Sequence, residues 1–134
     1  MFGGRQGALK VWGLVVAALL LAGCGEDDPA RAKEAVSWIR MHKHDGLANP
    51  IWKITGIKME DARNIIVDVW VPNPRHVEML RSQSLMRKSL IAKYACPAAR
   101  AGIWTIVKDD IKIRVNLHDE GIHLGNAICT PPRA

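Results

Sequence analysis

The residues of this chain best suited to metal chemistry lie near its end, where two histidines and two acids share one short segment, His118-Asp119-Glu120-Gly121-Ile122-His123. Imidazole and carboxylate groups are ligands for transition metals. The alternation around this segment predicts a hairpin, which would bring His118 and His123 across from each other. The order is not His-Glu-x-x-His, which needs a helix to place both histidines on one face. Because turns are usually polar, we interpret the segment as a solvated turn, with a surface metal site at His118, Asp119 and His123 as the alternative.

A second reactive residue closes the stretch Leu21-Ala22-Gly23-Cys24. The apolar run before it begins at Val11, follows the cations Arg5 and Lys10, and is shorter than the ~20 residues that a membrane-spanning helix needs. A basic start, a short apolar run and small residues at the end are typical of a secretory signal peptide. The stretch that ends in Cys24 resembles the lipobox of bacterial lipoproteins, and the resemblance covers residues 1–24.

The lipobox resemblance implies a covalent lipid on the Cys24 thiol, cleavage just before Cys24, and acylation of the freed amine with a fatty acid such as palmitate. Two or more acyl chains anchor a protein stably to a membrane. We therefore expect a signal peptide over residues 1–23, a lipidated N-terminus with an acidic spacer over 24–28, and a small α+β domain over 29–134. The resemblance places the protein in the bacterial cell envelope. Gly25 after the cysteine favours the outer membrane facing the periplasm if the source is Gram-negative.

Two cysteines remain once Cys24 is assigned to lipid, namely Cys96 and Cys129. Export places them in a compartment that oxidises thiols. Neither belongs to a Cys-x-x-Cys motif, and neither has the nearby thiol or imidazole partners that zinc would require. We predict that they form a structural disulfide, and the alternative is a pair of buried free cysteines.

The formal net charge is +6, and the cations are spread along the chain. They are most closely spaced on one predicted helix, at Arg81, Arg87, Lys88 and Lys93. A basic helix can bind nucleic acid or anionic lipid. Nucleic acid is not an expected partner of an exported, tethered protein. We interpret the cluster as a solvated helix face, and the alternative is attraction to a negatively charged membrane or cell-wall polymer.

The hydrophobic pattern predicts an α+β fold in the order α-β-β-α-β-β-β, with two helices packed on a mainly antiparallel sheet. Met79, Met86 and Leu90 are expected to widen the apolar stripe of the second helix as core filling. The predicted helices span residues 29–43 and 75–94, and the predicted strands span residues 51–59, 65–71, 103–107, 111–118 and 122–129.

The side chains expected on the solvent side of the sheet suggest a binding surface. Alternation places Trp70 opposite the Val67 and Val69 face, and a later strand points Lys112, Arg114 and His118 outward. No nucleophile motif, phosphate loop or paired carboxylates accompany them. We therefore expect a binding module without a cofactor beyond the lipid, which contacts the membrane through its anchor and a protein partner of an envelope, secretion or assembly apparatus. The alternative is an envelope hydrolase or metal-dependent enzyme that uses the His118–His123 turn.

Overall fold

A computed structural model describes residues 28–43, residue 49 and residues 51–132. The predicted signal peptide and Cys24 lie outside the described residues, so the predicted domain boundaries stay predictions. The helices are α1 (Ala30–Met41), α2 (Pro74–Arg81), α3 (Leu85–Ala92) and α4 (Ile103–Ile106), with a 3-10 turn at Lys93–Ala95, and the strands are β1 (Lys53–Asp61), β2 (Asn64–Trp70), β3 (Lys112–Asp119) and β4 (Ile122–Cys129). Within these residues, no helix has the length and apolar character needed to cross a bilayer.

The four strands form one sheet in the order β1-β2-β3-β4. β1 pairs with β2 and β3 with β4 in antiparallel hairpins, whereas β2 and β3 are parallel. Parallel neighbours need a long crossover segment between them. The segment between β2 and β3 provides it, because it carries α2, α3 and α4. The predicted α+β class and mainly antiparallel sheet are confirmed.

The β3–β4 hairpin is the element that the sequence pattern predicts best. β3 alternates between buried and more exposed positions from Lys112 to Leu117, and β4 begins after the two-residue turn Glu120-Gly121. Both turn residues have positive φ, at 46° and 80°, as the favoured two-residue hairpin turn requires. This geometry aligns the two strands so that alternate residues share one face.

The core lies between one face of the sheet and the helices. Alternate residues of β2 and β3 are buried there, and α1 contributes the apolar stripe that its spacing of three and four predicts. The following residues of these three elements are buried: Ala32, Ala35, Val36, Ile39, Ile65, Val67, Val69, Ile113, Val115 and Leu117. The helices of the described residues therefore cover only one side of the sheet.

The predicted strand at 103–107 is wrong, because Ile103–Ile106 is the short helix α4. Ile103 and Val107 are both fully buried, and a spacing of four places both on one side of a helical turn. The Trp104 indole N–H donates to the Ala98 carbonyl at 2.9 Å and further fixes this turn. A five-residue apolar run does not distinguish a buried strand from a buried helical turn.

The predicted single helix over 75–94 is also wrong, because the chain forms α2 and α3 with a break at residues 82–84. Ser82 Oγ donates to the Met79 carbonyl, and Ser84 accepts from the Arg87 N–H as the N-cap of α3. In α3 the buried side is that of Ala92, and Met86 and Leu90 lie on the other side of the helix, six and two residues before it. They are 76% and 56% exposed, so their prediction as core residues is wrong, as it is for the 40% exposed Met79 of α2.

The disulfide between Cys96 and Cys129 is confirmed. The two Cα atoms lie 5.5 Å apart, and both side chains are buried. Cys96 follows the 3-10 turn after α3, and Cys129 ends β4. The bond therefore joins the helical layer to the edge strand of the sheet.

Candidate functional site

The sheet face opposite the helices carries most of the side chains that the sequence suggested for binding. We call this surface the open face. Strand pairing sets Lys53, Trp70, His118 and His123 in one row across the sheet, and a second row runs through Lys58, Ile66, Arg114 and Ile128. Between them lies a row of Gly56, Asp68, Asn116 and Asn126, and Lys112 follows at the start of β3. All of these residues except Ile66 are at least partly exposed.

Trp70 lies on the open face, as predicted, but its ring is partly buried rather than fully exposed. Its indole N–H donates to Asp119 Oδ1 at 3.3 Å, and the Lys53 ammonium lies 6.0 Å from the ring centroid. A cation over the ring face and an acceptor at its polar edge both restrict the orientation of an indole. Trp70 is thus a pre-positioned aromatic side chain at the end of the face.

His118 lies beside Trp70, and its ring makes a hydrogen bond with a hydroxyl group. Its Nε2 atom is 2.8 Å from Thr55 Oγ1, which reaches across from β1. His118 and His123 are paired across β3 and β4, as the hairpin predicted, and the Asn126 amide lies 3.5 Å from His123 Nε2. The described residues, which include His118, Asp119 and His123, contain no group of three or more potential metal ligands. The structure therefore does not bring these three side chains together as one site, and it gives the metal alternative no support.

A cleft of about 640 Å³ begins where the open face ends. We call it the end cleft. Trp70 belongs to both surfaces, and the cleft continues over Pro72, Pro74 and Val77 of the β2–α2 connection and α2. Its charged lining is mainly acidic: Glu78, Asp119 and Glu120 oppose Arg81. The end cleft and the open face therefore differ in the sign of their charge.

Cations outnumber acids on the open face. Lys53, Lys58, Lys112 and Arg114 are all exposed, and the acids beside them are Asp68, Glu60 and Asp61, the last of which shares a row with Lys112. Glu60 lines a small depression together with Ile66, Lys112, Arg114 and Ile128, so the apolar side chains are set among charged ones. An aromatic residue, an arginine and aliphatic side chains within a polar surround are the composition of protein-binding surfaces.

The remaining histidine motif, at His42 and His44, has a structural explanation in its described part. The His42 ring stacks on Trp38 at 4.0 Å, and His42 Nδ1 lies 2.8 Å from the Trp38 carbonyl at the end of α1. Because Nδ1 makes a hydrogen bond with this backbone carbonyl, His42 acts as part of the C-terminal cap of α1. His44 lies outside the described residues.

Sequence reasoning considered the cations of this helix but missed the exposed apolar side chains beside them. Met86 and Leu90 of α3 and Tyr94 of the 3-10 turn that follows are all more than half exposed and are spaced by four residues. Such a spacing places Met86 and Leu90 along one side of the helix. The available signal was their distance from the core stripe, because in the predicted helix they lie nine and thirteen residues after Val77, about half a turn away from it.

The chain was compared with protein-family models, with curated proteins and with solved structures, and none of the three comparisons found a match.

Proposed function

We propose that this protein is a bacterial envelope lipoprotein, anchored through Cys24, whose open face binds a protein partner of an envelope, secretion or assembly apparatus. The observation that carries the binding proposal is the uncovered sheet face, which combines a fixed tryptophan with aliphatic and basic side chains. The lipobox stretch at residues 21–24 supports the anchor.

The charge of the open face points to the chemistry of the partner. Four exposed cations face three acids there, so the complementary surface carries carboxylates. The Ile128 side chain, which is 42% exposed beside the buried Ile66, fits an apolar centre of the same contact. An acidic protein surface with an apolar centre satisfies both features.

The dimensions of the open face indicate how the partner must sit. Three inter-strand spacings of about 4.8 Å and some six residues of about 3.3 Å each give roughly 300 Å². A standard interface buries about 800 Å² on each partner. The partner must therefore extend beyond the sheet, and the end cleft is continuous with the face through Trp70. This position makes Trp70 the expected centre of binding energy, since tryptophan is enriched among such residues. Because the lining of the cleft is mainly acidic, the part of the partner that covers the cleft must carry cations, in contrast to the part over the open face.

The anchor is tested by replacing the single thiol that would carry the lipid. Cys24→Ser should leave the protein unprocessed or move it out of the membrane fraction, because neither diacylglyceryl transfer nor cleavage can follow. The control is Cys96→Ser with Cys129→Ser, which keeps the lipobox intact. Membrane fractionation at the mature size by the Cys24 variant would contradict the anchor.

Binding is tested by capture from solubilised envelope membranes, followed by affinity measurement with the partner so identified. Arg114→Glu should weaken binding by at least about tenfold, because it places like charges in the contact. Lys33→Glu on the exposed side of α1 changes the net charge equally and should leave binding unchanged. Equal affinity of the two variants would contradict a contact through the open face.

A further inference from the structure

The outer side of α3 carries an apolar stripe that the fold leaves exposed. Met86 and Leu90 of the helix and Tyr94 of the 3-10 turn that follows it are 76%, 56% and 62% exposed. We call these three residues the α3 patch. Contiguous exposed apolar residues on a soluble domain commonly mark a contact with another molecule or a membrane.

The opposite side of α3 is fixed against the sheet, so the direction of the patch is set by the fold. Ala92 is fully buried. A Cβ atom at Gly125 of β4 would lie only 3.2 Å from the Lys88 Cβ, which shows how closely the helix approaches this strand. Because α3 cannot turn its apolar side inward without losing this contact, the patch stays on the surface.

The charged residues of α3, and of the segments that flank it in the sequence, are all cations. Arg87 and Lys93 line a groove of about 650 Å³ together with Leu90 and Tyr94. From Met79 to Lys108 the sequence contains no aspartate or glutamate, whereas it contains six cations: Arg81, Arg87, Lys88, Lys93, Arg100 and Lys108. The patch and its surround are therefore complementary to an apolar surface that carries negative charge.

We propose that the α3 patch lies on the surface of a bilayer that contains anionic phospholipid, as a second membrane contact of the protein. Flexible aliphatic side chains such as Met86 and Leu90 can enter the boundary between headgroups and acyl chains. Tyr94 has the amphipathic ring that is enriched at this depth, and Arg87 and Lys93 can reach the lipid phosphates.

The anchor explains why such a contact would be effective, and this part rests on the proposed function. The residues from Cys24 to Asp28 span at most about 18 Å when fully extended. A lipid on Cys24 therefore keeps the domain beside the bilayer. Tethering raises the effective concentration of the second site, so a contact that is weak in solution becomes populated.

The test uses the chain from Gly25 to Ala134 without lipid, which holds every described element and both cysteines of the disulfide. We expect it to sediment with vesicles of equal parts phosphatidylcholine and phosphatidylglycerol, but not with vesicles of phosphatidylcholine alone. Arg87→Gln with Lys93→Gln should weaken binding at least about tenfold, since each cation near an anionic surface is worth about fivefold in affinity. Met86→Gln with Leu90→Gln should weaken it similarly while leaving the charge unchanged.

The matched control is Lys33→Gln with Arg40→Gln on the exposed side of α1, which removes the same charge elsewhere. It should bind nearly as the unmodified chain does. The proposal is overturned if neither vesicle binds the chain, which would leave the patch to a protein partner. It is also overturned if the Met86 and Leu90 variant binds normally, or if the control loses as much as the Arg87 and Lys93 variant. These measurements use neither Cys24 nor the open face, so their failure leaves the proposed function standing.

Discussion

Reduction of the Cys96–Cys129 disulfide should remove a large share of the stability of the domain. The two residues are 33 apart in sequence. For a loop of this length the chain-entropy model gives about 3–4 kcal/mol at 25 °C. Domains of this size unfold with a free energy of about 5–15 kcal/mol, so the loss is a substantial fraction. At roughly 4–8 °C per kcal/mol, the unfolding midpoint should fall by about 12–32 °C.

The measurement is denaturant and thermal unfolding of the chain from Gly25 to Ala134, with and without reductant. Cys96→Ala with Cys129→Ala is the control, because reductant has no bond to break in it and should not change its unfolding. This variant should be no more stable than the reduced chain, since it also loses two buried sulfur atoms. A reductant effect below about 1 kcal/mol on the unmodified chain would refute the loop-closure reasoning.

Three further predictions concern single positions. Trp70→Ala should lower the free energy of unfolding by about 1–2 kcal/mol, less than the ~3 kcal/mol or more of a fully buried aromatic. Iodide should partly quench the tryptophan fluorescence of the unmodified chain, and the variant should lack the part of this quenching that comes from Trp70. A loss of unfolding free energy of ~3 kcal/mol or more would place Trp70 in a covered layer. The Asp61 carboxylate accepts from the Arg63 and Asn64 N–H groups, which lowers its pKa below the ordinary 3.8. Because this pKa is depressed in the folded state, the turn stabilisation is present above pH 3.8 and is lost as pH falls through the folded pKa; an NMR titration with a pKa of 3.8 or above would contradict it. Gly125→Val should lower the free energy of unfolding by about 1–3 kcal/mol by forcing α3 away from β4, and an unchanged unfolding midpoint would contradict that packing.

The sequence predicted the features that strict alternation controls. The residues from Ile111 to Leu117 alternate without interruption, so the buried and exposed sides of β3 followed directly, and Lys112, Arg114 and His118 were assigned to the face on which the structure has them. The disulfide was predictable because export and the assignment of Cys24 left only two thiols to pair.

The features that the sequence did not predict depend on contacts between distant elements. The run over residues 103–107 contains β-branched residues typical of a strand, yet Ile103 and Val107 are buried on one side of a helical turn. Met86 and Leu90 were assigned to the core as a widening of the apolar stripe, yet α3 packs its opposite side, at Ala92, toward the core and β4. The parallel pairing of β2 and β3 depends on the crossover helices and has no local signal.

A site-specific photo-crosslinker in the lipid-anchored, full-length chain in its native cells would test the central claim most directly. The open-face position is Asn126, and the control position is Ser37 on the exposed side of α1. We expect a discrete crosslinked protein from position 126 that is absent from position 37 and is lost when Arg114→Glu is added. The same crosslinks from both positions, or a crosslink from position 126 that persists in the Arg114→Glu variant, would contradict a binding module that acts through the open face.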